Sequence, residues 1–78
     1  MIKVKLFGVF APYMPSKNDE GEWEVDQNGC AIRKILGQTP IPASTVKYTI
    51  MVNGERKTID DVVNDGDVLI VMPLLAGG

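Results

Sequence analysis

Val68-Leu69-Ile70-Val71-Met72 is an unbroken apolar run, preceded by Asn64-Asp65-Gly66-Asp67 and followed by Pro73. An apolar run of this length between turn signals reads as a strand covered on both faces. Such a strand belongs in the middle of a sheet. At the other end of the chain, Ile2, Val4 and Leu6 alternate with Lys3 and Lys5, the period of a half-buried strand. Its apolar character continues through Phe7, Val9 and Phe10, so its far end reads as covered on both sides. Pro12 and Pro15 end it. Residues 11–21 carry two prolines with Ser16, Asn18, Asp19 and Gly21, which is loop chemistry.

Between these two strands the chain has room for four shorter pieces. Glu22-Trp23-Glu24-Val25-Asp26 alternates, with Trp23 and Val25 inward and the acids toward water. It forms a hairpin with the first strand. Asn28-Gly29 reads as a turn or a helix start; as a start, Asn28 is a good N-cap for a helix in which Ala31, Ile32, Ile35 and Leu36 share one face. Arg33 and Lys34 lie on the outer face, and Gly37 stands where a positive-φ C-terminal cap is expected. This helix spans about two and a half turns and must be held by packing on the sheet. Gln38 to Ser44, with Pro40 and Pro42, reads as a connector. Tyr48, Ile50 and Val52 alternate with Thr49 and Met51 as a third strand. Asn53-Gly54 then signals a tight hairpin turn into a short strand over 55–58. Ile59 to Val63 fits at most one helical turn.

The order is therefore strand, strand, helix, strand, strand, strand. The first and last strands are the most apolar. Placed side by side in the middle of the sheet, they run parallel, with the helix crossing one face. That is an α+β chain of the β-grasp type seen in ubiquitin-like domains: a mixed sheet of four to five strands with one helix packed on one face. The expected division is a domain over 1–73 and a tail over 74–78.

Composition narrows what the chain does. Seventy-eight residues make one small domain, 45% hydrophobic and 23% charged. A chain this short buries only about 60% of its unfolded surface, and many small scaffolds add a disulfide or a metal. Here there is one cysteine and no histidine. An internal disulfide, the usual Cys/His zinc sites, and Ser-His-Asp or Cys-His catalysis are excluded. A net charge of −2 disfavours nucleic acid. No apolar run reaches the ~20 residues of a membrane span, and Met-Ile-Lys-Val-Lys lacks the apolar core of a signal peptide. A cytoplasmic protein with no metal and no bound cofactor is the expectation.

The last five residues carry the chemistry. The final charge in the sequence is Asp67, and the apolar strand leads without a break into Leu74-Leu75-Ala76-Gly77-Gly78. Termini are usually polar and dispensable. This one is apolar and tapers. Glycine has no Cβ, so its backbone can pass close to another surface. Two glycines make a thin thread ending in a carboxylate, able to enter a narrow active site. Leu74 and Leu75, with Pro73, are then anchors at the mouth of that site. Ala76 and Gly77 thread inward, and the carboxylate of Gly78 is the reacting group. A bare Gly-Gly would also end an unstructured tail.

On these residues the chain resembles the MoaD/ThiS family of ubiquitin-like sulfur carriers. Lys3-Val4-Lys5-Leu6-Phe7-Gly8 looks like its opening strand, and Tyr48 to Gly54 like its strand with an Asn-Gly turn. Asp65-Gly66-Asp67-Val68 looks like the entry to its last strand, and Met72 to Gly78 like its tail. The resemblance implies a non-enzyme. A ubiquitin-activating-type adenylyltransferase uses ATP to adenylate Gly78. The acyl-adenylate becomes a thiocarboxylate, which donates sulfur inside an acceptor enzyme. That acceptor is the molybdopterin synthase large subunit or, in the thiamine branch, thiazole synthase. The tail is closer to the molybdopterin synthase small subunit, though that form often has a second proline where Leu74 stands. The alternatives are a thiamine carrier and a protein modifier conjugated through Gly78.

Other residues invite shorter readings. Cys30 falls at the expected helix start, where a thiolate would be favoured, but a small half-buried residue is the commoner case. Glu22, Glu24 and Asp26 read as a solvated face. Lys3, Lys5, Arg56 and Lys57 could form a basic patch for a partner's acidic groove, or simply a solvated sheet face. Trp23 and Tyr48 read as core aromatics.

Overall fold

A computed structural model describes residues 1–41 and 48–73. The two apolar strands lie where their composition puts them. β1 (Ile2–Leu6) and β7 (Val68–Pro73) run parallel in the interior of the sheet, in register from Lys3↔Val68 to Leu6↔Val71. β2 (Trp23–Val25) pairs antiparallel with β1, matching Val4 to Trp23 and Ile2 to Val25. On the far side of β7 lies β4 (Tyr48–Val52), antiparallel from Tyr48↔Pro73 to Val52↔Leu69. It returns through β5 (Glu55–Lys57). Among the described residues, the sheet has five strands in the order β2-β1-β7-β4-β5.

Period-2 alternation divides the two faces. Ile2, Val4 and Leu6 point into the core with Leu69, Val71, Ile50, Val52, Trp23 and Val25. α1 (Ile32–Leu36) covers this face, and its Ile32 and Ile35 are fully buried. Each of those burials contributes about 1.5–3 kcal/mol. A helix of five residues has no stability of its own, so this packing is what holds it.

The helix begins later than its pattern suggests. Cys30–Ala31 is extended and forms β3, paired with β6 (Val62–Val63). The expected turn over 59–63 is therefore partly a strand. Asn28 does not cap the helix. Its side-chain oxygen accepts from the N–H of Asp65 instead. The first helical N–H groups are satisfied from across the fold, Ile32 by the carbonyl of Asp61 and Arg33 by that of Ile59, both at 2.9 Å. A helix end needs acceptors, and their origin is not restricted to the preceding residues. Gly37 also departs from expectation. Its φ is −66°, still right-handed, and the chain turns out of the helix two residues later, where the Thr39 hydroxyl donates to the carbonyl of Leu36. The connector is described only as far as Ile41.

β1 is shorter than its apolar run. It stops at Leu6, and Gly8–Tyr13 forms a 3₁₀ helix with Pro12 inside it. Phe10 drops into the core, while Phe7 and Val9 are exposed. The Asn53-Gly54 turn is as expected, with φ of +52° and +85°. Its Asn53 side chain does a second job. It donates to the Asp67 carboxylate at 2.9 Å and accepts from the N–H of Val68 at 3.0 Å, tying this turn to the one that starts β7.

Candidate functional site

Of the residues expected to form the functional tail, Pro73 lies within the described structure. Leu74, Leu75, Ala76, Gly77 and Gly78 lie outside it. The root of the tail is therefore what the structure builds. β7 is paired with β1 as far as Val71 and with β4 as far as Pro73. Phe7 donates its N–H to the carbonyl of Val71, and Pro73 stands opposite Tyr48.

Gly8 makes that approach possible. It sits at φ +61°, and a Cβ there would lie 2.7 Å from Cγ of Pro73 and 3.1 Å from Cδ. Both the backbone angle and the contact require glycine. Left-handed Gly8 breaks the strand and swings the 3₁₀ helix over the end of the core. Phe10 then packs beside Tyr48, ring centroids 5.9 Å apart.

Three apolar side chains are exposed at this end of the sheet. Phe7 is 46% exposed, Val9 59% and Tyr48 37%. Tyr48 is thus a rim residue, not the core aromatic its pattern suggested, whereas Trp23 is buried as expected. A cleft of about 320 Å³ opens beside Tyr48 with Arg56, Lys57 and Ile59 in its walls. Sequence reasoning missed Phe7, Gly8 and Val9. The signal was the Phe-Gly pair inside an apolar run, where a glycine marks a break as readily as a bend.

The other candidates disperse. Glu22 is not part of a solvated face. It is 5% exposed, held by Lys3 at 3.7 Å and Lys5 at 3.5 Å. Asn18 shapes the turn that places it, its side-chain oxygen accepting from the N–H groups of Glu20 and Glu22. A carboxylate there neutralises what would otherwise be two like charges on one strand face. The four basic residues therefore make no common patch. Lys3 and Lys5 are engaged by Glu22, while Arg56 and Lys57 lie on the edge strand β5, beyond β7 and β4. Cys30 is half-buried on β3 rather than at a helix start, with Sγ 3.5 Å from Oε1 of Gln27.

Two carboxylates are held below their usual range. The N–H of Asn64 is the main cause for Asp67, with the Asn53 amide second. The N–H of Thr58 does the same for Asp61. Both brace turns rather than face Pro73. Among the described residues, no group of three or more His, Cys, Asp or Glu could hold a metal ion, and no helix is long and apolar enough to cross a membrane.

No family model matches the chain, and no curated protein matches it. Among solved structures it is similar to the crystal structure of SAMP1 from Haloferax volcanii, with 20% sequence identity and a TM-score of 0.66. The match covers 99% of this chain and 98% of that one. Strand order, register and this likeness together establish that the chain has a ubiquitin-like β-grasp fold.

Proposed function

We propose that the chain is a sulfur carrier of the MoaD/ThiS type, acting through the carboxylate of Gly78. The observation that supports the reading is the course of β7. An interior strand, paired with β1 as far as Val71 and with β4 as far as Pro73, leads to the sequence Leu-Leu-Ala-Gly-Gly. A rigid root with a thin, uncharged thread suits delivery of a main-chain carboxylate into another protein's active site.

The chemistry belongs to the partners. The Gly78 carboxylate attacks the α-phosphorus of ATP on a ubiquitin-activating-type adenylyltransferase, and pyrophosphate leaves. Sulfide then adds to the acyl carbon and AMP leaves, giving the thiocarboxylate. The carrier contributes the reacting group and no catalytic side chain. The proposed acceptor is the molybdopterin synthase large subunit, because Pro73 followed by an apolar stretch and Ala-Gly-Gly resembles that branch. Thiazole synthase is the other acceptor of the family. A carrier in this role works in the cytoplasm beside these enzymes.

The experiment is intact-mass analysis after incubation with ATP, the activating enzyme and sulfide. The expected product has gained the mass of one oxygen-to-sulfur exchange. A chain lacking Gly78, or extended by one residue beyond it, gains nothing. No exchange in the unaltered chain refutes the reading. Conjugation through Gly78 would use the same tail, and it would instead give adducts on lysines of other proteins.

A further inference from the structure

The carrier reading leaves the cleft beside Tyr48 without a role. This cleft, of about 320 Å³, opens along β4 and β5. Among the described residues its walls carry two cations, Arg56 and Lys57, and no acid, together with apolar surface from Tyr48 and Ile59. The neighbouring acids have partners of their own. Asp60 pairs with Arg33, and Asp61 accepts from the N–H of Thr58. Exposed Glu55 lies 3.5 Å from the Lys57 amine, whereas Arg56 makes no ion pair among the described residues. Two cations beside an apolar wall suit a short apolar peptide that ends in a carboxylate, because ionised partners make the stronger hydrogen bonds.

We infer that residues 74–78 fold back in cis into this cleft, with Leu74 and Leu75 against Tyr48 and Ile59, and the Gly78 carboxylate against Arg56 and Lys57. The inference rests on the carrier reading for a free Gly78 carboxylate, and it adds a resting state of the tail. Register and chain length support it. Pro73 stands opposite Tyr48, and Lys57 stands opposite Ile50. β5 runs antiparallel to β4, so it leads back toward the end of the sheet at which Tyr48 faces Pro73. From Pro73 to Lys57 is two strand spacings, about 10 Å, and two residues of strand rise, about 7 Å, or about 12 Å on the diagonal. Residues 74–78 span at most about 18 Å when extended. The tail therefore reaches the cations with slack, and Gly77 and Gly78 allow the turn that the approach needs. A docked tail is withheld from any enzyme that must thread it. If it is docked half to nine-tenths of the time, apparent affinity for such an enzyme falls about twofold to tenfold, because only the free fraction binds.

The first test uses the chain alone. A water-soluble carbodiimide joins carboxylates to amines in contact, with loss of one water. Peptide mapping is expected to find the Gly78 carboxylate joined to the Lys57 amine within one chain. Amide resonances of Lys57, Thr58 and Ile59 should differ between the full chain and one lacking Gly77 and Gly78, while that of Val62 stays in place. The second test measures charging by the ubiquitin-activating-type adenylyltransferase of the same genome. Arg56→Gln with Lys57→Gln frees the tail, so half-saturation should fall about twofold to tenfold with the maximal rate retained. Thermal melts confirm that the variant is folded. A merely structural role for the two cations would not improve charging.

No Gly78–Lys57 crosslink together with unchanged resonances overturns docking in cis, and leaves the carrier reading to its own mass test. A crosslink that forms only between isotope-labelled and unlabelled copies overturns it in favour of a second copy's tail. A rise in half-saturation for the double variant overturns it by assigning the cations to the enzyme's footprint. The crosslink and the resonance shifts without any thiocarboxylate formation support docking and refute the carrier reading.

Discussion

Replacing Gly8 by alanine should damage the root of the tail more than its size suggests. Two penalties add. At φ +61° an L-residue bears about 1–2 kcal/mol of left-handed strain. The new Cβ would also stand 2.7 Å from Cγ of Pro73, in a ring that cannot swing aside without moving its backbone. Overpacking of that kind costs about 1–3 kcal/mol. The sum is about 2–5 kcal/mol, comparable with the whole contribution a core of this size makes. At about 4–8 °C per kcal/mol, the melting temperature should fall by roughly 10 °C or more. Urea unfolding followed through the single, buried Trp23 measures it. Gly54→Ala is the internal control. Gly54 also has positive φ, +85°, but nothing lies within 4 Å of its Cβ position, so only the strain applies. Pro73→Ala supplies the second edge of a double-mutant cycle, because it removes the ring that the Gly8→Ala methyl strikes. The coupling energy should be about 1 kcal/mol or more, with the double variant less destabilised than the singles sum to. If Gly8→Ala is no worse than Gly54→Ala, or the two sites do not couple, the packing argument is wrong.

Further outcomes follow from other parts of the structure. Glu22→Gln keeps the shape but leaves a poorly paired buried amide between Lys3 and Lys5. It should destabilise by about 1–3 kcal/mol in urea titration, and the gap should narrow in 1 M salt, where screening weakens ion pairing. For Asp67 the sign follows from its lowered folded-state pKa. Its ionised form adds stability above the unfolded value of about 3.9, and that stability is lost as pH falls through the lower folded value. Asp67→Asn should therefore be less stable than the unaltered chain at pH 7, with the difference closing in acid melts. A constant difference across that range would sink the assignment. In the charging assay, one residue added after Gly78 should abolish the mass gain while leaving the melting temperature unchanged.

Much of the fold was legible because it rests on short-range rules. The apolar run at Val68–Met72 and the alternation at Ile2–Leu6 marked the two interior strands, since burial on two faces or one leaves different periods. Asn53-Gly54 marked its turn because few residue pairs accept two positive φ angles. The helix boundary was not legible. Asn28 has the chemistry of a cap, yet its acceptor went to Asp65, and carbonyls of Ile59 and Asp61 capped the helix from a distance. Glu22 failed for a related reason. Its pattern is that of a surface acid, and only the pairing of β1 with β2 sets two lysines against it.

The same division holds at the candidate site. By itself the sequence limited the kind of chemistry available, with no histidine and one cysteine, and its tapering apolar tail is what the carrier proposal is built on. It also determined which strands lie inside the sheet, because hydrophobic burial is written residue by residue. What surrounds the tail's root was decided by tertiary structure alone. Phe7, Gly8, Val9, Tyr48 and Pro73 come from three separate stretches of chain. They meet because β1 and β7 run parallel, β4 runs antiparallel, and Gly8 turns left-handed against Pro73. Periodicity along a chain records which face a residue takes; it carries no information on which distant residues share its end of the sheet.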